Sequence, residues 1–449
     1  MKYEEFKELV LAAAKNQGLK EYELYYMEAE TVGADVLFHE LNQFSTSSEA
    51  GVCFRCICGG KMGYAATEQF TEAEAQRIVE AAMENAGSIE NTESALIHKA
   101  GDLYQEPEHA PEERPSSAEL IRLALDTQEQ AYQLDSRILD GTNSFTQFQK
   151  TTRSLCNSNG LDLSYTCSYS LAGCIAVAKD QEGMVDGDRI KAARFSELDP
   201  KEVATEAVEE AVANIGADTA ETGSYTVVFV HKMMATLLSA FFPVFSAQAA
   251  QQGLSLLKGK EGQPIASPLV TLTDDPFHPD CPVHMPFDGE GVATRCKNVI
   301  ENGRLITLLH NLSTAQKDNT VSTGNGQKTG YASAVSILPY NFFMNPGEGG
   351  SQDDLLKAAG NGVFITLLTG LHAGANSVTG DFSLSAAGFL IENGTKGRPV
   401  KNFTVSGNFY ELLKNIEIVG SDLEFKLPMA SSRYGAPSVL VRNMTVAGK

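Results

Sequence analysis

Apolar positions in the first 220 residues alternate between a helical and an extended period. Phe6, Leu9, Val10 and Ala13 recur at the spacing that places side chains on one face of a helix. Runs rich in Tyr, Val, Phe and Cys separate the helical segments and favour strands. The patterns predict helices over 3–17, 72–87, 117–133 and 199–214, and strands over 23–31, 35–41, 51–58, 137–142, 149–156, 161–168 and 171–179. The amino-terminal half is therefore expected to mix α and β structure.

A strongly apolar stretch occupies residues 226–250. Its apolar content approaches that of a membrane span, but His231 and Lys232 divide it and Pro243 interrupts its second part. A short strand followed by a helix, with Pro243 inside the helix, accounts for this pattern better. We therefore predict a buried strand–helix pair rather than a membrane span.

The carboxy-terminal half is rich in glycine and in turn signals. VIENGRL at 299–305 and LIENGTK at 390–396 each place Asn-Gly between apolar runs, which is the strongest short-range signal for a hairpin. Beyond residue 252, helices are expected only near 352–359 and 409–415. The pattern predicts a β-rich domain, either barrel-like or built of layered sheets.

Two features indicate how the chain is divided. The acidic, proline-rich segment QEPEHAPEERPSS at 105–117 predicts a linker, and the pattern becomes dominated by strands at 218–223. A chain of 449 residues is also too long for one ordinary core. We expect an α+β fold, with an α+β amino-terminal domain over 1–220 and a β-rich carboxy-terminal domain over 221–449.

Composition narrows the class of protein. With 43% hydrophobic and 20% charged residues, the chain has the composition of a folded protein rather than a disordered one. Its net charge of −22 and its lack of a basic run argue against direct nucleic-acid binding. The opening segment MKYEEFKELVLAAAK has no long apolar core, so no signal peptide is predicted. Eight cysteines without an export signal predict reduced thiols and a cytoplasmic location, away from membranes.

One group of potential metal ligands stands in a loop. His278, Cys281 and His284 are three residues apart and follow Asp274 and Asp275, and zinc is bound by histidine and cysteine. The prolines between them also fit a rigid, exposed connection. Metal binding at this cluster is kept as an alternative.

Three cysteines lie within the predicted strand over 51–58. Because side chains alternate along a strand, Cys56 and Cys58 should share one face, and Cys53 should lie on the other. That geometry suits small buried apolar residues better than a metal site.

Two further groups are candidate ligand contacts. The backbone N–H groups of Gly324, Asn325 and Gly326 could face a ligand, although a lone Gly-x-Gly is weak evidence and fits a tight turn equally well. Asp381 and Ser383 lie among other polar residues, but no nucleophile-elbow pattern surrounds the serine. Surface or hairpin positions are the simpler interpretation of this pair.

Two strings in the carboxy-terminal half carry a family resemblance. Residues 287–331 read FDGEGVATRCKNVIENGRLITLLHNLSTAQKDNTVSTGNGQKTGY, and residues 379–408 read TGDFSLSAAGFLIENGTKGRPVKNFTVSGN. Together they resemble the TldD/PmbA family, also called modulators of DNA gyrase. The resemblance is strong over 222–449 and weaker before it. It implies a metallopeptidase fold of the class predicted above.

The resemblance also identifies a degenerate metal motif. Catalytic members, the TldD type, carry His-Glu-x-x-x-His on a helix and a cysteine near the carboxy terminus, a set suited to zinc and a general base. The matching segment here is LLSAFFPVF at 237–245, with Ser239 and Ala240 at the His-Glu positions and Val244 at the second histidine. No cysteine follows Cys296. We expect an apolar helix face packed in a core, no zinc, no catalytic residue, and a member of the PmbA (TldE) type.

The resemblance implies partners as well. It predicts a pseudo-symmetric dimer that encloses a cavity, a heterodimer with a TldD-type subunit that supplies zinc, and a homodimer when the chain is alone. This chain would shape the cavity and help to hold a peptide or unfolded-protein substrate for proteolysis or maturation, for example by strand addition. Asn325, Gly326, Asp381 and Ser383 are the candidate substrate contacts.

Two alternatives stay open. The chain could be a self-sufficient metallopeptidase that uses other ligands, such as His278, Cys281 and His284. It could also be a non-enzymatic regulator that binds DNA gyrase or another protein directly.

Overall fold

The computed structural model describes residues 1–88, 95–181, 183–426 and 432–449. Within these ranges the helices are α1 (Tyr3–Asn16), α2 (Glu72–Ser88), α3 (Ser117–Leu134), α4 (Pro200–Ala213), α5 (His231–Phe241), α6 (Ala247–Gln251), α7 (Leu312–Lys317), α8 (Gln352–Ala359), α9 (Leu371–Gly374) and α10 (Phe409–Lys414). Short 3-10 helices lie at Phe195–Glu197 and Phe242–Phe245.

The strands of the amino-terminal half are β1 (Tyr22–Leu37), β2 (Glu40–Cys58), β3 (Lys61–Thr67), β4 (Asn143–Asn157), β5 (Asp162–Asp180) and β6 (Gly183–Ala193). Those that follow are β7 (Gly223–Phe229), β8 (Leu272–Asp274), β9 (Lys297–Glu301), β10 (Arg304–Leu305), β11 (Gly326–Gln327), β12 (Ser336–Ile337), β13 (Asn341–Met344), β14 (Gly362–Thr369), β15 (Asp381–Glu392), β16 (Thr395–Asn408), β17 (Ile416–Val419), β18 (Glu424–Lys426), β19 (Arg433–Ala436) and β20 (Val439–Ala447).

The amino-terminal half is one antiparallel sheet covered by helices. Its strands run in the order β3-β2-β1-β4-β5-β6. Helices α1 and α2 pack on β1 and β2 around Phe6 and Phe54, and α4 forms a second core with β5 and β6. The four helices predicted in this half are confirmed. Ser116 caps α3, because its Oγ accepts a hydrogen bond from Glu119 N while the Glu119 carboxylate accepts one from Ser116 N.

The strands of this sheet are longer than predicted. Strand β1 continues through the gap expected between 31 and 35, with a bulge at Asp35, and turns into β2 at Phe38 and His39. The first ten residues of β2 are exposed, so their polar side chains carry no burial pattern. The strand predicted over 137–142 was wrong: β4 begins only at Asn143, because the segment before it turns at Gly141, which has a φ of 107°.

The carboxy-terminal half contains a closed barrel and a second sheet. The barrel has five strands, each paired with the next in the order β16-β15-β14-β7-β20. Pairing between β16 and β20 closes the ring. The second sheet has the order β10-β9-β8-β13-β19-β18. Both Asn-Gly hairpins are confirmed, because Asn302-Gly303 and Asn393-Gly394 adopt positive φ between paired strands. The α+β class and the β-rich carboxy-terminal half are also confirmed. The helices near 352–359 and 409–415 are present, whereas the short helices α7 and α9 were not predicted.

The apolar stretch at 226–250 is the strand–helix pair β7–α5, buried in the largest core. In this core the Phe241 ring stacks on Phe409 with ring centroids 4.6 Å apart. The helix ends at Phe241, so Pro243 lies in the following 3-10 turn and not inside α5 as predicted. No helix in the described part of the chain is both long and apolar enough to cross a membrane.

The segment predicted as a linker has no helix or strand before α3, but it contacts both halves of the chain. Within the segment, Glu108 N donates a hydrogen bond to His284 Nδ1 at 3.3 Å, and Glu112 N donates one to Ser168 Oγ at 2.6 Å. An apolar cluster that includes Tyr25 and Phe287 joins the same surfaces. The sheet and the carboxy-terminal half therefore share a packed boundary, beside which the candidate site lies.

Candidate functional site

The three degenerate motif positions lie in different environments. Ser239 is exposed near the end of α5, Ala240 is half-buried, and Val244 is completely buried in the 3-10 turn. The expectation that all three form one apolar helix face was therefore wrong at Ser239. The turn differs from a continued helix because Pro243 cannot donate the backbone hydrogen bond that the helix requires.

These positions do not fit a zinc ion. Ala240 and Val244 have no donor atom, and the Ser239 hydroxyl is a poor substitute for an imidazole. Among the described residues, no group of three or more His, Cys, Asp or Glu side chains is arranged to hold a metal.

The alternative cluster is engaged in other contacts. The His284 ring accepts a hydrogen bond from Glu108 N at 3.3 Å, and the His278 Nδ1 accepts one from Asp280 N at 3.2 Å. Burial raises the pKa of the Cys281 thiol to about 12, which disfavours the thiolate that zinc requires. The His278 ring also packs edge-on against Phe343, with centroids 4.8 Å apart.

The three amino-terminal cysteines follow the strand pattern. Cys56 and Cys58 have their Sγ atoms 3.9 Å apart on one face of β2, as predicted. Cys53 and Cys56 are buried, in keeping with their interpretation as core residues.

Asn325 and Gly326 lie inside the protein and join its loops. The Asn325 side chain is buried, and its Nδ2 donates a hydrogen bond to Asp274 Oδ2 at 2.8 Å. Gly326 N donates one to Asp288 Oδ2 at 2.9 Å, and a Cβ at Gly326 would lie 2.6 Å from Glu290 Oε2. Position 326 must therefore be glycine, because any side chain there would clash with Glu290. Substrate contact by this pair stays a prediction.

Asp381 and Ser383 lie on the barrel instead. Both are exposed on β15, where Asp381 Oδ1 accepts a hydrogen bond from Asn408 Nδ2 at 2.8 Å and Ser383 Oγ accepts one from Ser406 Oγ at 3.1 Å. In the described part of the chain, no hydrogen bond joins Asp381 or Ser383 to Asn325, so the four candidate residues lie in two separate places.

A buried charged group, which the sequence analysis did not identify, lies between the two halves. Arg55 on β2 and Glu23 on β1 are cross-strand neighbours, with Arg55 Nε 2.7 Å from Glu23 Oε1. Their exposed fractions are 4% and 1%. Glu290 of the carboxy-terminal half lies beside them, with its Oε1 3.6 Å from Arg55 Nη1. The sequence did contain a signal for this group, a single arginine within the apolar run VCFRCIC. An arginine buried in such a run requires an acidic partner, which predicts a charged group inside the protein.

The acids of the FDGEG string support this group. Glu290 Oε2 accepts a hydrogen bond from Leu312 N at 2.9 Å. Burial raises the pKa of the Glu290 carboxyl, and the charge of Arg55 opposes that shift only in part. Burial and the neighbouring Glu290 also raise the pKa of Asp288, although backbone N–H groups donate to both of its oxygens.

A cavity of about 460 Å³ opens beside the charged group. Its polar lining includes Arg55, Tyr64, Gln248, Glu290, Asn311 and Ser313. A second cavity of about 760 Å³ shares Leu96 and Leu312 with the first, and it contains His98 and Asp102, whose Nε2 and Oδ2 atoms are 2.9 Å apart. The first cavity combines hydrogen-bond donors with a carboxyl group, which suits the binding of a polar ligand.

Comparisons with known proteins agree with this fold. Family models match the PmbA/TldA metallopeptidase C-terminal domain over 222–448, its central domain over 110–215 and its domain 1 over 22–86. The chain is 25% identical to the metalloprotease PmbA homolog of Haemophilus influenzae, covering 91% of this chain and 88% of that protein. It is 24% identical to the metalloprotease PmbA of Escherichia coli O157:H7, covering 98% and 94%.

Solved structures give the same result. A Thermotoga maritima protein described as a modulator of a DNA gyrase superposes with a TM-score of 0.90 at 34% identity, covering 99% of this chain and 100% of that one. TldE from Thermococcus kodakarensis superposes with a TM-score of 0.90 at 24% identity, covering 98% and 99%, and shows the fold.

Proposed function

The chain belongs to the PmbA/TldD metallopeptidase family, and from this premise we propose that it is the PmbA (TldE)-type, non-catalytic subunit of a two-component peptidase. A TldD-type partner supplies the zinc and cuts. This chain shapes the cavity and helps to hold a peptide or unfolded-protein substrate.

The observation that carries the proposal is the state of the motif positions. Peptide hydrolysis by this family needs activated water, which a zinc site with histidine ligands and a glutamate base provides. In this chain Ser239 is exposed, Ala240 has no donor atom and Val244 lies in the core. Its own contribution is therefore limited to binding and orienting substrate, and the polar cavity beside Arg55 offers a place for that.

Pairing with another subunit is supported by the tip of the β1–β2 hairpin. Phe38, in the turn, is 58% exposed, and Leu41 and Phe44, on the exposed first part of β2, are 42% and 36% exposed. Apolar side chains exposed on a turn and an edge strand are typical of a pairing surface. The apolar run at 233–250 does not serve this purpose, because most of its large apolar side chains are buried in the chain's own core. We propose that the hairpin tip is the pairing surface for both the homodimer and the heterodimer.

The purified chain is expected to hold less than one zinc per chain after dialysis and to leave peptides uncut. With a TldD-type partner, the mixture should cleave an unstructured peptide in a reaction that a chelator stops. Metal analysis and mass spectrometry of the peptide measure the two parts. The reason is that the metal and its ligands come from the partner.

The partner with its motif glutamate changed to glutamine is the control, since it should abolish cleavage while this chain is intact. One tightly held zinc in the isolated chain, together with chelator-sensitive cleavage, would contradict the proposal and favour the His278, Cys281 and His284 cluster.

The isolated chain is expected to scatter light at about twice its mass at micromolar concentration. Phe44→Lys should shift the population to monomer, because it places a solvated charge within the apolar hairpin tip. Addition of the partner should convert the homodimer into a heterodimer rather than form a trimer.

Ser45→Lys is the matched control, since it adds the same charge on the opposite face of the same strand. Equal dissociation by both variants would contradict a pairing surface on the Phe44 face. A parent chain that is monomeric and does not bind a TldD-type subunit would contradict the two-component proposal itself.

A further inference from the structure

The cavity beside Arg55 contains two donors without a partner. Arg55 is 4% exposed, and within the described part of the chain its buried Nη2 makes no hydrogen bond. The Ser313 Oγ, on α7 at the same cavity, is likewise buried and unpartnered among the described residues. Buried polar groups are nearly always hydrogen-bonded, so two such groups at one cavity suggest a ligand that completes them.

The geometry of the arginine restricts the chemistry of that ligand. Arg55 Nε donates a hydrogen bond to Glu23 Oε1 at 2.7 Å. Glu290 Oε1 lies 3.6 Å from Arg55 Nη1, which is longer than a hydrogen bond. The Nη2 group of Arg55 is therefore available to donate hydrogen bonds to a ligand. A guanidinium edge presents parallel donors, and a carboxylate presents two acceptor oxygens in the same plane.

The charges around the cavity permit an additional anion. Glu23 is matched by Arg55, with which it shares the short contact. Burial raises the pKa of Glu290, but its carboxyl lies beside Arg55 and accepts a hydrogen bond from Leu312 N at 2.9 Å, and both contacts offset part of its charge. Repulsion between Glu290 and a bound carboxylate is thereby reduced.

We propose that this cavity binds the carboxylate of a short peptide, with Arg55 Nη2 and Ser313 Oγ as its donors. The inference rests on the proposed function, because it identifies the part of a peptide substrate or product that this subunit holds. It assigns to the chain a binding site distinct from the degenerate motif positions.

The surroundings provide room for the remainder of the peptide. The amide side chains of Gln248 and Gln252 line the first cavity and can bond a peptide backbone. The second cavity, which shares Leu96 and Leu312, has Val292 and Val321 in its lining. A peptide end held at Arg55 can therefore extend towards polar or apolar surface.

Calorimetry on the isolated full chain tests the proposal. One unstructured tetrapeptide is offered as the free acid and as the carboxy-terminal amide, and a third form carries the amide with an internal glutamate. We expect the free acid to bind about tenfold more tightly than the amide. Binding of the glutamate form as tightly as the free acid would place the recognised carboxylate on a side chain rather than at the chain end, which still supports carboxylate binding.

Two variants locate the contact. Arg55→Lys keeps the positive charge but loses the planar edge, so the preference for the acid over the amide should fall towards one. Ser313→Ala should weaken acid binding by about fivefold and leave amide binding unchanged, because the amide lacks the carboxylate that this hydroxyl contacts. Ser45→Ala, at an exposed serine on β2, is the matched control and should have no effect.

Equal affinity for acid and amide, or a preference that survives both variants, would overturn the carboxylate site. Absence of binding by every peptide would overturn it too. Neither result affects the two-component proposal, which is tested separately by chelator-sensitive cleavage with the partner present.

Discussion

Replacing Arg55 by methionine is expected to lower the free energy of unfolding by about 3–5 kcal/mol. The main cause is that the variant leaves two buried carboxyl groups without their cation, and the lost ion-pair contact is the smaller part. Glu23 and Glu290 are 1% and 5% exposed, and Arg55 is the cation that lies within 4 Å of both. Without it, two carboxyl groups must stay buried without charge compensation or take up protons. Equilibrium urea unfolding measures the loss as a lower midpoint at an unchanged slope.

Arg442→Met is the matched control. Arg442 forms an ion pair of similar length with Glu417, at 2.7 Å, but both side chains are more than 40% exposed. Exposed pairs contribute about 0–1 kcal/mol, so this variant should unfold nearly like the parent. Changing Glu23 to methionine together with Arg55 should restore part of the stability, because one uncompensated carboxyl is removed. No recovery in the double variant would indicate lost packing instead of buried charge.

The elements that local patterns specify were predictable from the sequence. Helices α1 to α4 have apolar residues at helical spacing, and each begins and ends within two residues of its predicted bounds. The turns at Asn302-Gly303 and Asn393-Gly394 were predictable because few other residue pairs adopt positive φ at low cost. In these places the local preference and the tertiary structure agree.

The remainder depends on contacts between distant residues. Eight of the first ten residues of β2 are polar, and only the pairing with β1 makes this segment a strand. Asn325 resembles a turn residue locally, but its hydrogen bond to Asp274 joins positions 51 residues apart. The site at Arg55 requires Glu23, Glu290 and Ser313, which come together only when the two halves pack. No short stretch of the sequence therefore predicts that these residues lie together.

A related limit applies to the degenerate motif. The family resemblance aligns Ser239 and Val244 with the two histidines of the TldD-type motif, but it does not show which of the two residues faces solvent. The structure ends α5 at Phe241 and turns the chain at Pro243, so that one position is exposed and the other is in the core. Restoring the motif residues is therefore expected to have unequal effects at the two positions.

Val244→His is expected to destabilise the chain by about 2–4 kcal/mol. Val244 has no exposed surface and lies in the largest apolar core. An imidazole there is larger than the valine side chain and brings two ring nitrogens that need hydrogen-bond partners. Ser239→His, at an exposed position on the same segment, should change stability by less than about 0.5 kcal/mol and is the matched control. Thermal and urea unfolding of both variants measure the difference.

The triple variant Ser239→His, Ala240→Glu, Val244→His should carry the same loss of stability without gaining a tightly held zinc. A catalytic zinc site needs three protein ligands, and no cysteine follows Cys296 to join the two introduced histidines. Metal analysis after dialysis should therefore give well under one zinc per chain. A stoichiometric zinc that also restores the stability lost by Val244→His would show that position 244 can turn towards a metal. In that case the burial of Val244 would no longer argue against a zinc site in this chain.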